Sequence, residues 1–240
     1  MDMTIATSTN KMIDIHSHML PNVDDGSHSR YETLEMINQS IKDGVKKIIL
    51  TPHVQSRATK ASRETQIKVF EDLVEDVKNQ QLPIELILGA EIYYRSHLET
   101  DYSKLTLGNS KCLLIEFSPM IETPIEEIIY NFKGLGYIPI VAHVERYEYL
   151  TLEDYKLIKL AGGYLQVNTN AVLGIEPKIK KGLVAKLLKL ELVDIISTDT
   201  HNMENRKPNM KACYDYLKSH VSPNYLTSLF GGKIEELMSK

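Results

Sequence analysis

Short apolar runs alternate with longer amphipathic stretches along most of the chain. Runs of near-continuous Val, Ile and Leu at Met12–His16, Lys46–His53, Ile84–Glu91, Cys112–Phe117, Ile138–His143, Tyr164–Asn168 and Val193–Thr198 predict strands buried on both faces. Helical spacing lies between them. Leu34, Ile37 and Ile41 recur before a stop at Gly44, and Ile67, Phe70, Val74 and Val77 repeat the pattern. Thr123-Pro124-Ile125-Glu126 reads as a capping box with proline at the first helical position. Leu183, Leu187 and Leu190 form an inward stripe, with Lys186 and Lys189 outside it. About seven strand-to-helix alternations predict a parallel α/β architecture, either barrel or open sheet.

Polar residues end these strands. The first run closes on His16 and His18, the second on His53, the third on Glu91, the fourth on Glu116 and the fifth on His143, while Asp199 and His201 follow the seventh. Parallel barrels gather their C-terminal strand ends at one mouth, so these residues are expected to converge. Glu116, inside CLLIEFS, is costly to bury unless a cation neutralises it. Imidazole mixed with carboxylate, without thiolate, suits manganese, iron, zinc or cobalt. Adjacent ions would share a bridging carboxylate and a bridging hydroxide placed to attack phosphorus.

Composition narrows the field. The net charge of −4 gives no general attraction to nucleic acid or anionic membrane, so a phosphorylated substrate needs local cations. There is no basic stripe and no tryptophan platform for nucleic acid. No apolar stretch approaches the roughly 20 residues that span a bilayer, and MDMTIATSTNK lacks a signal-peptide core. Residues 1–11 read as a flexible lead-in to one domain over 12–240. The two cysteines suggest no disulfide framework, which fits a cytoplasmic setting. Neither has an arginine six positions on, where Ser118 and Ser219 stand, so thiol-based phosphatase chemistry is disfavoured and both read as packing residues.

The ordered series HSH…DDG, TPH, GAEIYY, LLIEF, VAHVERY and STDTHN…R-x-P, from Met12 to about Met210, resembles the polymerase-and-histidinol-phosphatase (PHP) superfamily. Within it the chain most resembles the bacterial manganese-dependent protein-tyrosine phosphatases of capsule and exopolysaccharide systems. The resemblance implies a distorted (β/α)7 TIM-like barrel holding three divalent ions. These would be Mn2+, with Fe, Zn, Co or Mg as substitutes. One ion would take His16, His18, Glu91 and Asp199. A second would take Glu91, Glu116 and His143, and a third Asp25, His53 and His201, with Asp25 preferred over Asp24. Arg146 and Arg206 match arginines that the family uses at the phosphate, and Asp199 or His201 would assist proton transfer. The expected substrate is phosphotyrosine, carried by an autophosphorylating tyrosine kinase with a tyrosine-rich tail that controls polysaccharide export. Val54 departs from relatives that often carry a second histidine after TPH. Alternatives are a histidinol-phosphate or other small-molecule phosphatase on the same scaffold, and a non-catalytic metal-binding kinase regulator. Tyr93 and Tyr94 are read as packing residues or as a wall for a substrate ring, and Asp14 as an interior or supporting carboxylate.

Overall fold

A computed structural model describes residues 12–98, 100–176, 179–180 and 182–240; the lead-in expected at 1–11 lies outside these. The strands are β1 (Met12–Asp14), β2 (Val45–Leu50), β3 (His53–Val54), β4 (Glu85–Leu88), β5 (Glu91–Tyr93), β6 (Cys112–Glu116), β7 (Ile138–Val141), β8 (Tyr164–Asn168) and β9 (Ile195–Ser197). Every ladder is parallel. One sheet runs β1-β2-β4 and the other β3-β5-β6-β7-β8-β9. β3 continues the course of β2 and β5 that of β4, so seven staves curl into a distorted barrel. The second and third expected strands are therefore each broken in two. Pro52, which has no N–H to donate, lies in the first break. Gly89 lies in the second, where a Cβ would stand 2.6 Å from Leu107 Cδ2.

Nine helices pack outside: α1 (Arg30–Lys42), α2 (Arg63–Asn79), α3 (Ile125–Gly134), α4 (Leu152–Leu160), α5 (Thr169–Val172), α6 (Leu183–Lys189), α7 (Met210–Leu217), α8 (Pro223–Thr227) and α9 (Lys233–Met238), counted among the described residues. None of them is long and apolar enough to cross a membrane. Three details of the expected helices change. Pro124 is the N-cap of α3 rather than its first residue, and the Thr123 hydroxyl donates to Ile121 O instead of capping. A capping box does form at α4, between Thr151 and Asp154. In α2 the buried side turns toward Leu73 and Val77, leaving Ile67 and Val74 exposed, and in α6 it falls on Val184, Leu187 and Leu188 while Leu190 is exposed. Both shifts follow from how each helix rolls onto the sheet, which spacing alone does not fix.

The larger apolar cluster lies between sheet and helices; a smaller one, including Ile13, Ile15, Ile49, Leu114, Ile140 and Ile195, collects inward residues of several strands. Along β6 the period of two carries Cys112 and Leu114 in this inner cluster up to Glu116 at the mouth. Ile234 and Leu237 of α9 also join this inner cluster.

Closure between the first and last staves is narrow. Ser17 and Thr200 form an isolated parallel bridge, His18 N donates to Thr200 O at 2.8 Å, and Asp199 N donates to His16 O at 2.9 Å. Asp14 reinforces it, accepting Thr198 N at 3.0 Å and the Thr198 hydroxyl at 2.5 Å. Burial pushes this carboxyl up to about 6 against the pull of those hydrogen bonds. Asp14→Ala should leave the Thr198 donors unpaired inside the protein and lower the unfolding free energy by about 2–3 kcal/mol. Urea unfolding measures this, and an unchanged midpoint would contradict the role given to Asp14 in closure.

Candidate metal centre

The mouth of the barrel brings His16, His18, Asp25, His53, Glu91, Glu116, His143, Asp199 and His201 together. Their donor atoms form four overlapping groups, in each of which the atoms lie within 4.8 Å of one another. These groups are His18, Asp25, His53 and His201; His16, His18 and Glu91; His16, His143 and Asp199; and His53, Glu91 and Glu116. The grouping overlaps the partition implied by family resemblance without repeating it, because His16, His18 and His53 each serve two groups. Asp25 faces His53 Nε2 at 3.4 Å and His201 Nε2 at 3.5 Å. Asp24 turns the other way and is fully buried. It accepts from His18 Nδ1 at 2.8 Å, Gly26 N at 2.9 Å and His53 N at 3.0 Å. Gly26 is required there, since a Cβ would fall 2.0 Å from His18 O.

Hydrogen bonds set the histidine tautomers. His16 Nδ1 meets Gln166 Oε1 at 3.1 Å, an oxygen that also accepts from His143 N at 2.9 Å, so His16 Nδ1 carries the hydrogen. His18 Nδ1 donates to Asp24 in the same way. Both Nε2 atoms are left with lone pairs, yet they stand 3.2 Å apart. Glu91 lies 3.3 and 3.2 Å from them, and Asp199 Oδ1 lies 3.4 Å from each. Two imidazole lone pairs and two carboxylates thus point into one volume. Positive charge is required at its centre, supplied by protons on the rings or by a bound cation.

The titration shifts express the same conflict. Burial opposes charging His16, but Glu91 and Asp199 outweigh it and raise its pKa; burial likewise opposes charging His18, where Asp24 leads the groups that raise it well above the ordinary value. Glu91 and Asp199 stay ionised well below the carboxylate range. Burial works against them, but His16 and His53 hold Glu91, and Arg206, His16 and Arg146 hold Asp199. Glu116 goes the other way, pushed up to about 9 by burial and by the charges on Glu91 and Asp199. His143 and His201 fall to about 4, through burial and then the neighbouring charge of Arg146 or His18. His53 Nδ1, Glu116 Oε2 and His201 Nε2 are buried without a hydrogen-bond partner. His53 Nδ1 is only 3.0 Å from Glu91 Oε2, but not along a hydrogen-bonding direction. Donor atoms that converge without a hydrogen between them fit divalent cations, and the absence of thiolate fits hard or borderline ones. Two donors sit on strained backbone: His143 has φ 29° and Asp199 φ 54°, in the left-handed region that non-glycine residues seldom adopt.

Arg146 and Arg206 flank the cluster. Their Nη2 atoms approach Asp199 Oδ2 at 3.0 and 2.5 Å, and both side chains are part-exposed. Three supporting residues were not singled out from the sequence. Gln166 orients His16, Asn168 Nδ2 donates to Asp199 Oδ2 at 3.0 Å, and Glu176 accepts from Arg146 Nε at 2.6 Å. Gln166 and Asn168 carry a readable signal, being polar residues within the apolar run YLQVN; Glu176 lies in a loop and carries none. Asp24 was visible only as the neighbour of Asp25. His28, His97 and His220 are exposed and belong to none of these groups. Tyr94 packs on Phe117 and Phe132, with centroids at 5.5 and 6.2 Å, whereas the Tyr93 ring lies under Arg95.

Comparison with known proteins places this geometry. Residues 12–239 match the family described as "Capsular polysaccharide synthesis, CpsB/CapC", so the match continues past Met210, where the motif series stops. The chain is 32% identical over 232 residues to the tyrosine-protein phosphatase CpsB of Streptococcus pneumoniae, spanning 91% of this chain and 95% of the relative. It is 30% identical over 202 residues to the tyrosine-protein phosphatase YwqE of Bacillus subtilis, spanning 81% and 79%. A crystal structure from the pair YwqE and CpsB, described as unique metal-dependent tyrosine phosphatases, aligns with a TM-score of 0.81 at 27% identity, over 95% of this chain and 94% of that one. The chain belongs to the CpsB/CapC family of capsular polysaccharide synthesis.

Proposed function

We propose that the nine clustered side chains hold divalent metal ions and that the protein is a metal-dependent phosphatase that hydrolyses phosphotyrosine in proteins. The observation that carries this is the convergence of the His16 and His18 lone pairs with Glu91 and Asp199 on one volume. Family membership and the CpsB and YwqE relatives support it. The proposed ligands are His16, His18, Asp25, His53, Glu91, Glu116, His143, Asp199 and His201, and manganese is the proposed resident metal. Bound divalent ions lower the pKa of water toward neutrality and offset phosphoryl charge.

The chain's own groups do the rest. Arg146 and Arg206 present planar donor edges suited to phosphate oxygens. Asp24 and Gln166 fix the rings of His18 and His16 so that their Nε2 lone pairs face inward. Asp199, held ionised well below the carboxylate range, and His201, whose Nδ1 faces Asp199 O at 2.9 Å, are better suited to hold metal than to carry a proton. Tyrosine's phenol, with a pKa of about 10, leaves more readily than an alkyl alcohol and makes little demand on a general acid. The proposed substrate is the tail of an autophosphorylating tyrosine kinase that controls capsule or exopolysaccharide export, met in the cytoplasm.

Metal-stripped protein should lose at least about 100-fold of its turnover of a phosphotyrosine peptide, and manganese should restore it. Full activity after chelation would end the metal reading, and faster turnover of histidinol phosphate than of the peptide would redirect the substrate. Arg146→Ala and Arg206→Ala should each lower kcat/KM by about 10²–10³-fold, the usual scale for removing one donor to a developing phosphoryl charge. A change below threefold in steady-state kinetics would remove that arginine from the site. The thiols take no part. Cys112 and Cys213 are buried, and burial pushes the Cys112 thiol up to about 11 and Cys213 higher still. The folded double variant Cys112→Ala/Cys213→Ala should keep turnover within about twofold, because a thiol without thiolate character is no nucleophile.

A further inference from the structure

Arg146 is held by a carboxylate that neither the metal cluster nor the family motifs involve. Glu176 Oε1 accepts Nε of Arg146 at 2.6 Å and stands 2.6 Å from Nη2, so it covers the side edge of the guanidinium. Nη2 also reaches Asp199 Oδ2 at 3.0 Å, and Nη1 makes no hydrogen bond among the described residues. Nη1 is therefore left free while the flank is fixed and the Nη2 corner is shared with Asp199. Two clefts, of about 790 and 510 Å³, meet at this pair. Pro119, Met120 and Tyr149 line one, Asn170, Arg206 and Asn209 line the other, and among the described residues only Arg146 and Glu176 line both.

The backbone sets Glu176 in place. Gly174, with φ 69°, turns the chain beyond α5, and Ile175 N and Glu176 N then both donate to Asn170 O, at 2.8 and 3.2 Å. Asn170 is braced in turn by Asn209 Nδ2 at 2.6 Å. We propose that Glu176 is the positioning residue for Arg146, pinning its side edge so that the free Nη1 meets the phosphate of the substrate. This rests on the phosphatase reading above. A planar fork contributes most to recognition when it is fixed before the ligand arrives, since the ordering cost is then not charged to binding.

Simple electrostatics makes the opposite forecast. Glu176 is an anion beside an anion-binding group, so removing it would tighten phosphate if repulsion dominated. The sign of the change therefore decides. In the manganese-loaded enzyme, with inorganic phosphate as calorimetric probe and competitive inhibitor, Glu176→Ala should weaken phosphate binding and raise KM for a phosphotyrosine peptide by about tenfold, with a smaller fall in kcat. Glu176→Gln keeps the acceptor oxygen in a side chain of the same shape and should stay within about threefold of wild type. In an Arg146→Ala background, Glu176→Ala should add less than about twofold, because a residue that acts through Arg146 has nothing left to position. Phosphate binding that tightens or stays unchanged in Glu176→Ala overturns the proposal. So does an equal loss with and without Arg146, or a Gln variant no better than Ala. Wild-type enzyme that binds phosphate but leaves the peptide intact would defeat the tyrosine-phosphatase reading instead, and the phosphate titrations would still test Glu176.

Discussion

Three carboxylates largely withdrawn from water, Glu91, Glu116 and Asp199, share the mouth of the barrel, and like charges at such a distance cannot all ionise without compensation. The protein divides the problem unevenly. Glu91 and Asp199 stay charged among histidines and arginines, and Glu116 is driven up to about 9. A proton on Glu116 is thus the protein's own answer to the excess of negative charge. A divalent cation would answer the same excess and engage the inward-facing imidazole nitrogens together. The requirement for positive charge reaches outward as well. Arg146 and Arg206 both turn an Nη2 toward the same oxygen of Asp199, on the side away from His16 and His18. Arginine suits this position because it keeps its charge when desolvated, whereas a lysine under the same burial would tend to lose it.

The barrel exists, in this sense, to hold incompatible groups together. All strands run parallel, so each delivers its last residues to the same end, and the inner apolar cluster below keeps those ends from collapsing inward. The tightest connections are spent where the strain is greatest. Asp199, on left-handed backbone, donates its N–H to His16 O across the seam between the first and last staves, and Asp14 and Thr198 lock that seam just beneath it. His143, the other strained donor, has its N–H held by Gln166, the side chain that also fixes His16. Unfavourable backbone at these two points persists because hydrogen bonds from neighbouring staves over-determine it.

Much of this was readable in the chain. Apolar runs located every stave, and the histidines and carboxylates that end them are the groups that meet at the mouth. Glu116 announced itself as a carboxylate inside an apolar strand. Gln166 and Asn168 sit in an apolar strand in the same way, and equal treatment would have flagged them. What could not be read were features that depend on three-dimensional register. The break at Gly89 accompanies the close approach of Leu107, a neighbour distant in sequence. The Thr123 hydroxyl could accept from an N–H of the first turn of α3 or donate to a neighbouring carbonyl, and only the path of the loop before α3 decided between them. Glu176 is the extreme case: thirty residues from Arg146, in a loop without periodicity, its meaning comes entirely from the turn at Gly174.

The gradient of exposure across the site bears on which phosphate ester it takes. Glu91, His16 and His18 are almost fully buried, whereas the arginine side chains are 27% and 31% exposed and Asp25 stands further out at 47%. The positive charge offered to a substrate is thus concentrated in a short descent rather than spread over the surface, and a chain of net charge −4 has no broad field to add. Met120 and Tyr149 line the same cleft as Arg146, so the phosphate site has an apolar and aromatic neighbour. An aryl group is rigid and apolar, so it loses little entropy on entering such a cleft and can bury its ring against this lining. An aryl phosphate therefore finds an apolar lining beside Arg146 that a short alkyl phosphate leaves unused.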